Sequence, residues 1–336
     1  MKKRLVSLVL LIAADVCLLS ACGKDTPVPE GHLRIRGRDI QTDWVLKVDG
    51  KEVSADEYRY FFMNIAYTYT VETEGNYSWT DEENAEVMGA ALEYVILNKA
   101  MFDLAETYGI TIDDEDIASI EKTMEEMKAQ YGSEEEFAAV LASNYITPGY
   151  YAELLRSSVI QEKLSLCLTG NGGIFDVSED EMVDIINEEY ICIRYLKLNF
   201  DEEGSTEQKD RIAQYASLIG NKDDLITYIN IYSEDVTMKN NSDGLYLTLG
   251  QGDDTLFLAA SGLEVGEISP VIEGDMGYYI VLRQPIDVDY ITENADAFIA
   301  SYQERKIGEL LEEESADSVI DFNSKIYKKI NVKTMQ

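Results

Sequence analysis

The stretch from Gly244 to Arg283, GLYLTLGQGDDTLFLAASGLEVGEISPVIEGDMGYYIVLR, constrains the fold more than any other part of the chain. Leu245-Tyr246-Leu247 reads as a short apolar strand, and Gly250 and Gly252 mark the loop after it. Leu256 to Ala260 is a short apolar helix, and Gly262 turns the chain. Gly266 to Val271 reads as a turn leading into a strand. A second turn, Gly274 to Gly277, feeds the β-rich run Tyr278 to Leu282. Alternation and turn residues support that order of elements. Upstream, Tyr190 to Phe200 (YICIRYLKLNF) is a strong β run.

The region ahead of that strand is helical. Helix starts repeat one grammar, a capping Ser with Glu three residues on: Ser54/Glu57, Ser133/Glu136 and Ser178/Glu181. Asp113/Asp116 is an acidic version, and Thr147-Pro148 places proline at the first helical position. Tyr94, Leu97, Met101, Leu104 and Tyr108 form one helical stripe, with Gly109 as its C-terminal stop. The first helix is rich in rings: Tyr58, Tyr60, Phe61, Phe62, Tyr67 and Tyr69. Phe61, Phe62 and Ile65 are expected in the core; the tyrosines are core or a binding surface. Asp43 to Asp49 reads as a strand turned by Asp49-Gly50. Between 205 and 232 two helices are expected, the second starting at Asn221. A long helix from about Glu293 to Glu314 carries an apolar face of Phe298, Tyr302, Ile307, Leu310 and Leu311. That face needs a partner, and the helical region is the expected one.

The N-terminus reads as an export signal. Lys2-Lys3-Arg4 precede an apolar run, and Leu19-Ser20-Ala21-Cys22 is a bacterial lipobox, in which Cys22 takes the lipid. Gly23 to Gln41, with Pro27, Pro29, Gly31 and Gly37, reads as a tether. Cys167 and Cys192 remain, and sequence does not say whether they pair. With 28 Lys+Arg against 64 Asp+Glu, the net charge is −36. Loss of the signal removes Lys2, Lys3, Arg4 and Asp15 and leaves −38. Such a charge argues against nucleic acid and against docking on anionic lipid. The single histidine, His32, lies in the tether, which leaves no base for a serine-hydrolase triad. No P-loop, glycine-rich dinucleotide motif, Cys/His cluster or EF-hand loop is present, so no cofactor or metal is expected.

Several of these segments resemble one family. Asp243-Gly244, Gly250-Gln251, Ala259-Ala260, Gly266-Glu267-Ile268-Ser269-Pro270-Val271 and Gly277-Tyr278-Tyr279-Ile280-Val281 resemble the C-terminal half of a parvulin-type peptidyl-prolyl isomerase domain. Val48 to Glu57, Tyr108 to Ile117 and Tyr131 to Phe137 resemble, in that order, the N-terminal helical domain of SurA- and PrsA-like extracytoplasmic foldases. The resemblance implies an α+β protein: a helical bundle from both termini with an inserted parvulin-like domain of about four antiparallel strands and flanking helices. The expected boundaries are a signal at 1–21, a tether at 22–42, a helical domain at 43–187, the parvulin-like domain at 188–287, and at 288–336 a C-terminal helix packing on the helical domain.

Parvulins hold proline in an apolar pocket beside a pair of histidines, with Cys or Asp near the twisting carbonyl. On this chain the histidine positions fall at Arg194 and Tyr279, and the acidic position at Asp235 in Tyr232-Ser233-Glu234-Asp235. The pocket positions fall at Gly252 and Leu256, with Gln251 beside them. Either Arg194, Asp235 and Tyr279 form a substitute polar cluster, or Arg194 is neutralised by an acid and the domain is catalytically idle. The resemblance implies a lipid-anchored foldase or chaperone outside the cytoplasm, acting on unfolded or nascent exported polypeptides and weak or inactive as an isomerase. An active isomerase with a rebuilt site is one alternative, and a non-catalytic structural or interaction lipoprotein is another.

Overall fold

The computed structural model describes residues 27–72, 79–201 and 205–335. The signal, the lipobox with Cys22, and the Tyr69 side chain lie outside the described residues. Two compact units are present. One joins the N-terminal part, up to Phe175, with Lys306–Gln336; the other is Asp176–Arg305.

The first unit opens with a hairpin, β1 (His32–Ile35) and β2 (Arg38–Gln41). This part of the expected tether is therefore folded. Arg36 and Gly37 both have positive φ, 52° and 70°, which is the geometry of a tight two-residue hairpin turn. Leu33 and Ile35 alternate inward and are buried. A second hairpin follows, β3 (Leu46–Val48) and β4 (Lys51–Val53), turned by Asp49-Gly50 with φ of 51° and 79°.

Five helices follow: α1 (Ala55–Glu72), α2 (Asp81–Thr107), α3 (Asp114–Ala129), α4 (Glu134–Ser143) and α5 (Pro148–Thr169). Their starts are set by side chains that accept from the otherwise unpaired first-turn N–H groups. Ser133 accepts from Glu136, Asp113 from Glu115 and Asp116, and Thr147 from Tyr150. Thr80 and Glu83 add a capping box that the sequence reading passed over. Tyr94, Leu97, Met101 and Leu104 are buried along α2, while Tyr108 at its end is exposed. On α1, Tyr58, Tyr60, Phe61, Phe62 and Ile65 are buried, so the ring-rich helix is chiefly core; Tyr67 is 55 % exposed.

A buried charge group ties this unit together. Asp56 accepts from Gly31 N at 2.6 Å, Arg59 Nη2 at 2.5 Å and Thr147 Oγ1 at 3.2 Å. Arg59, only 2 % exposed, also donates to the carbonyls of His32 and Tyr145. Beside it, Glu57 accepts from Asn98 and Lys99 and links α1 to α2.

The second unit begins with α6 (Glu179–Glu189), capped by the Ser178/Glu181 box. The expectation that this helix belongs to the helical domain is corrected: its Met182 and Ile186 pack with Tyr190 and Ile291. Then come β5 (Ile191–Leu198), α7 (Glu207–Leu218), α8 (Lys222–Tyr232), β6 (Leu245–Leu247), α9 (Asp254–Ser261), β7 (Ile272–Gly274), β8 (Gly277–Gln284) and α10 (Val288–Glu293). The sheet is antiparallel throughout, in the order β6-β5-β8-β7. Both central strands are buried on both faces; the apolar run of β8 is unbroken from Tyr278 to Leu282, and that of β5 is interrupted by Arg194 and Lys197.

Helix α11 (Ala295–Ser315) crosses from one unit to the other. Phe298, Ile299 and Tyr302 pack in the sheet unit; Ile307 and Leu311 lie in the core of the helical unit. The apolar face of this helix is thus divided between the two cores. The remaining C-terminal residues add β9 (Ile320–Phe322), which pairs with β3, and a short helix, α12 (Ser324–Tyr327). The architecture is a helical unit made from both ends of the chain, with a parvulin-like domain inserted.

Candidate functional site

Strand alternation decides which side chains meet on the sheet. In β5, Arg194 pairs with Leu282 and Tyr195 with Val281; Lys197 pairs with Tyr279. Paired residues share a face, and neighbours along a strand do not. Tyr195 and Tyr279 therefore lie on one face, with ring centroids 5.4 Å apart, edge to face. Arg194 lies on the other. Of the two alternatives, the substitute cluster of Arg194, Asp235 and Tyr279 does not form, because a shift of one residue along a strand exchanges the faces. The residue that meets Asp235 is Tyr195, whose hydroxyl donates to Asp235 Oδ2 at 2.6 Å.

Asp235 sits just after α8, at the start of a short 3₁₀ turn, Val236–Met238, which its other oxygen caps. That oxygen accepts from Thr237 N at 2.9 Å and Thr237 Oγ1 at 2.7 Å. Burial raises the Asp235 pKa, but the hydrogen bonds from Thr237 and Tyr195 outweigh it and hold the carboxyl below its ordinary range. A second carboxylate, Asp253, lies near Tyr279, the two meeting over Gly274. Asp253 is 6 % exposed and caps α9, accepting from Leu256 N and Asp275 N, both at 2.8 Å. Burial first, and the neighbouring carboxylates second, push both phenols far above the usual tyrosine range.

Gly274 makes this contact possible. A Cβ there would stand 2.5 Å from Asp253 Oδ2 and 2.8 Å from Tyr279 Cε2. Leu256, expected in the proline pocket, is buried in the core of the sheet unit. Gly252, with φ of 82°, turns the chain before Asp253. Gln251 is engaged elsewhere: its amide nitrogen donates to Ser301 O and Oγ, at 3.0 and 2.9 Å, and its oxygen accepts from Tyr190.

The Tyr195 hydroxyl is engaged by Asp235 and is not free to donate to a passing amide. Each carboxylate is likewise occupied by chain donors. Sequence reasoning missed Tyr195 and Asp253. The Gly-Asp-Asp run ahead of a short apolar helix is an N-cap signal that points to Asp253. Nothing local signalled Tyr195.

Among the described residues no group of three or more His, Cys, Asp and Glu could hold a metal. Cys167 is exposed and Cys192 buried, and both are free thiols. Among the described residues no helix is long and apolar enough to cross a membrane.

Topology defines an α+β chain of the parvulin-inserted kind, with Tyr195, Tyr279, Asp235 and Asp253 gathered about one face of its four-stranded sheet. Residues 28–165 match the family model of the SurA-like N-terminal domain. Foldase protein PrsA of Staphylococcus epidermidis is 23 % identical over 293 residues, covering 85 % of this chain and 75 % of that protein. Among solved structures, the peptidylprolyl isomerase PrsA of Bacillus anthracis is 19 % identical, covers 66 % of this chain and 94 % of its own, and has a TM-score of 0.35. A SurA-like chaperone of Campylobacter jejuni covers 84 % of this chain and 99 % of its own, at 14 % identity and a TM-score of 0.31. The chain is thus similar to foldase protein PrsA along most of its length and to the SurA-like N-terminal domain over residues 28–165.

Proposed function

We propose that this protein is an extracytoplasmic foldase of the chaperone kind. It assists unfolded or nascent exported polypeptides and turns over prolyl bonds weakly or not at all. One observation supports the second half of that reading: the Tyr195 hydroxyl is spent on Asp235, in a sheet unit that contains no histidine. Prolyl isomerisation must remove amide double-bond character against a barrier of about 20 kcal/mol, and needs groups aimed at the substrate. The foldase half rests on the similarity to foldase protein PrsA across 85 % of the chain. Attachment to the membrane through a lipid on Cys22 rests on the lipobox.

The client role is tested by diluting a denatured exported protein into buffer with the chain present and following light scattering. Suppression that saturates near one chain per client supports the reading; scattering unchanged by the chain sinks it. Anchoring is tested by membrane fractionation of cells making the wild type or Cys22→Ser. Release of the variant into the soluble fraction is expected, and equal retention of both speaks against a lipid at Cys22.

A further inference from the structure

The loop after α5 carries a reactive pair. Asn171-Gly172 is the one Asn-Gly sequence in the chain. It lies in the run Gly170-Asn171-Gly172-Gly173, just past the end of α5, and both residues are exposed. An asparagine side chain is a carbonyl with ammonia as its leaving group. The backbone nitrogen of the following residue reaches that carbonyl to close a five-membered ring, and a side chain on the following residue hinders the approach. Gly172 has none, and among the described residues no atom beyond its chain neighbours lies within 4 Å of where a Cβ would stand. The four residues form a turn closed by the hydrogen bond from Gly173 N to Gly170 O at 2.7 Å, with Gly172 at a φ of 82°. The Asn171–Gly172 peptide is central in that turn. A bare residue with open space beside it lets this peptide plane rotate, as ring closure requires. The two Asp-Gly pairs of the chain, at Asp49 and Asp243, have no amide to expel and are held more closely. The Asp49 carboxylate accepts from Val319 N at 2.8 Å, and a Cβ on Gly244 would stand 2.6 Å from Gln284 Oε1 and 2.8 Å from Ile193 O.

We propose that Asn171 is a site of spontaneous deamidation and that its product loosens the end of α5. The Gly172 nitrogen bonds to Asn171 Cγ, the bond from Cγ to the side-chain nitrogen breaks, and ammonia leaves with the proton of the Gly172 amide. Water then opens the ring. Attack at Cγ gives aspartate; attack at the backbone carbonyl gives isoaspartate, with the chain running through the former side chain. Either product sets a carboxylate two residues past Thr169, beside the unpaired carbonyls that make a helix C-terminus negative. The loop is packed closely on those carbonyls. A Cβ on Gly173 would stand 2.5 Å from Leu168 O and 2.7 Å from Cys167 O, and Phe175 N donates to Leu168 O at 2.8 Å. Isoaspartate also lengthens the backbone of this loop by one carbon. The inference is independent of the foldase reading.

The test incubates the full chain in mildly alkaline buffer, native and in guanidinium, and digests it. The peptide containing Asn171 is read by mass spectrometry, with electron-transfer fragmentation to separate isoaspartate from aspartate. Opening a short exposed loop costs little, so the native chain is expected to convert Asn171 within about tenfold of the denatured rate. Incubation is expected to lower the melting temperature of the wild type and to leave that of Asn171→Ser unchanged; the substitution is at an exposed turn position and removes the amide. A native chain that keeps Asn171 intact while the denatured chain converts it overturns the proposed site. A melting temperature that incubation affects alike in wild type and Asn171→Ser overturns the effect on α5.

Discussion

Replacing Asp56 by Asn tests whether the buried charge group holds the helical unit together. The side chain keeps its shape but loses its charge, and its new amide N–H₂ meets donors from Gly31, Arg59 and Thr147. Arg59, 2 % exposed, is then a buried cation with only the His32 and Tyr145 carbonyls left. Breaking a buried pair by removing one partner costs about 3–5 kcal/mol, and the two surviving carbonyl bonds argue for the lower end. With a urea slope of about 2 kcal/mol per M, a loss of about 3 kcal/mol moves the midpoint down by about 1.5 M. The probe is specific: the chain has two tryptophans, Trp44 and Trp79, and both lie in the helical unit. Tryptophan fluorescence therefore follows that unit even where the two units unfold separately. Arg59→Met and the double variant complete a cycle, and the coupling is expected to reach at least about 2 kcal/mol. Additive effects, or an Asp56→Asn midpoint within about 0.3 M of wild type, would refute the reasoning.

Other perturbations reach the sheet unit. Tyr195→Phe removes the hydroxyl that Asp235 accepts and is expected to cost about 1–2 kcal/mol, read by hydrogen exchange of β5 and β8 amides. The same bond gives a pH dependence. The Asp235 pKa is depressed in the folded chain, so its contribution is complete above the ordinary carboxylate pKa of about 4 and is lost as pH falls through the lower folded value. Acid titration of stability is therefore shallower below about pH 4 in Tyr195→Phe than in wild type; identical slopes would remove Asp235 from the account. Gly274→Ala forces a methyl against Asp253 and Tyr279 and should destabilise the sheet unit by about 1–3 kcal/mol, checked by limited proteolysis. Burial pushes the Cys192 thiol up to about 11, so alkylation mapped by mass spectrometry at pH 8 should label Cys167 in the native chain and Cys192 only after denaturation.

What was legible in the sequence was local. Capping pairs such as Ser178/Glu181 and Asp113/Asp116 announce themselves within four residues, and the structure has them. The Asp49-Gly50 turn is equally self-contained. The hairpin at 32–41 was hidden because its strands are short and polar and its turn, Arg36-Gly37, sits among residues that read as a tether. The exchange of Arg194 for Tyr195 has a different cause. A strand buried on both faces shows no polar alternation, so nothing in YICIRYLKLNF says which residues share a side. Only pairing with β8 settles it. Asp253 and Tyr279 are 26 positions apart, and their meeting depends on Gly274 being bare, which no local pattern announces.

The central claim, assistance without prolyl turnover, is tested most directly by refolding a denatured client whose slow phase is limited by proline isomerisation. The rate of that phase and the final yield are both followed as the chain is raised from a hundredth of the client concentration to an excess. The account predicts a yield that climbs until chain and client are near equal, with the slow rate unchanged throughout. A slow phase that accelerates in proportion to substoichiometric chain, or a yield indifferent to the chain, would contradict it.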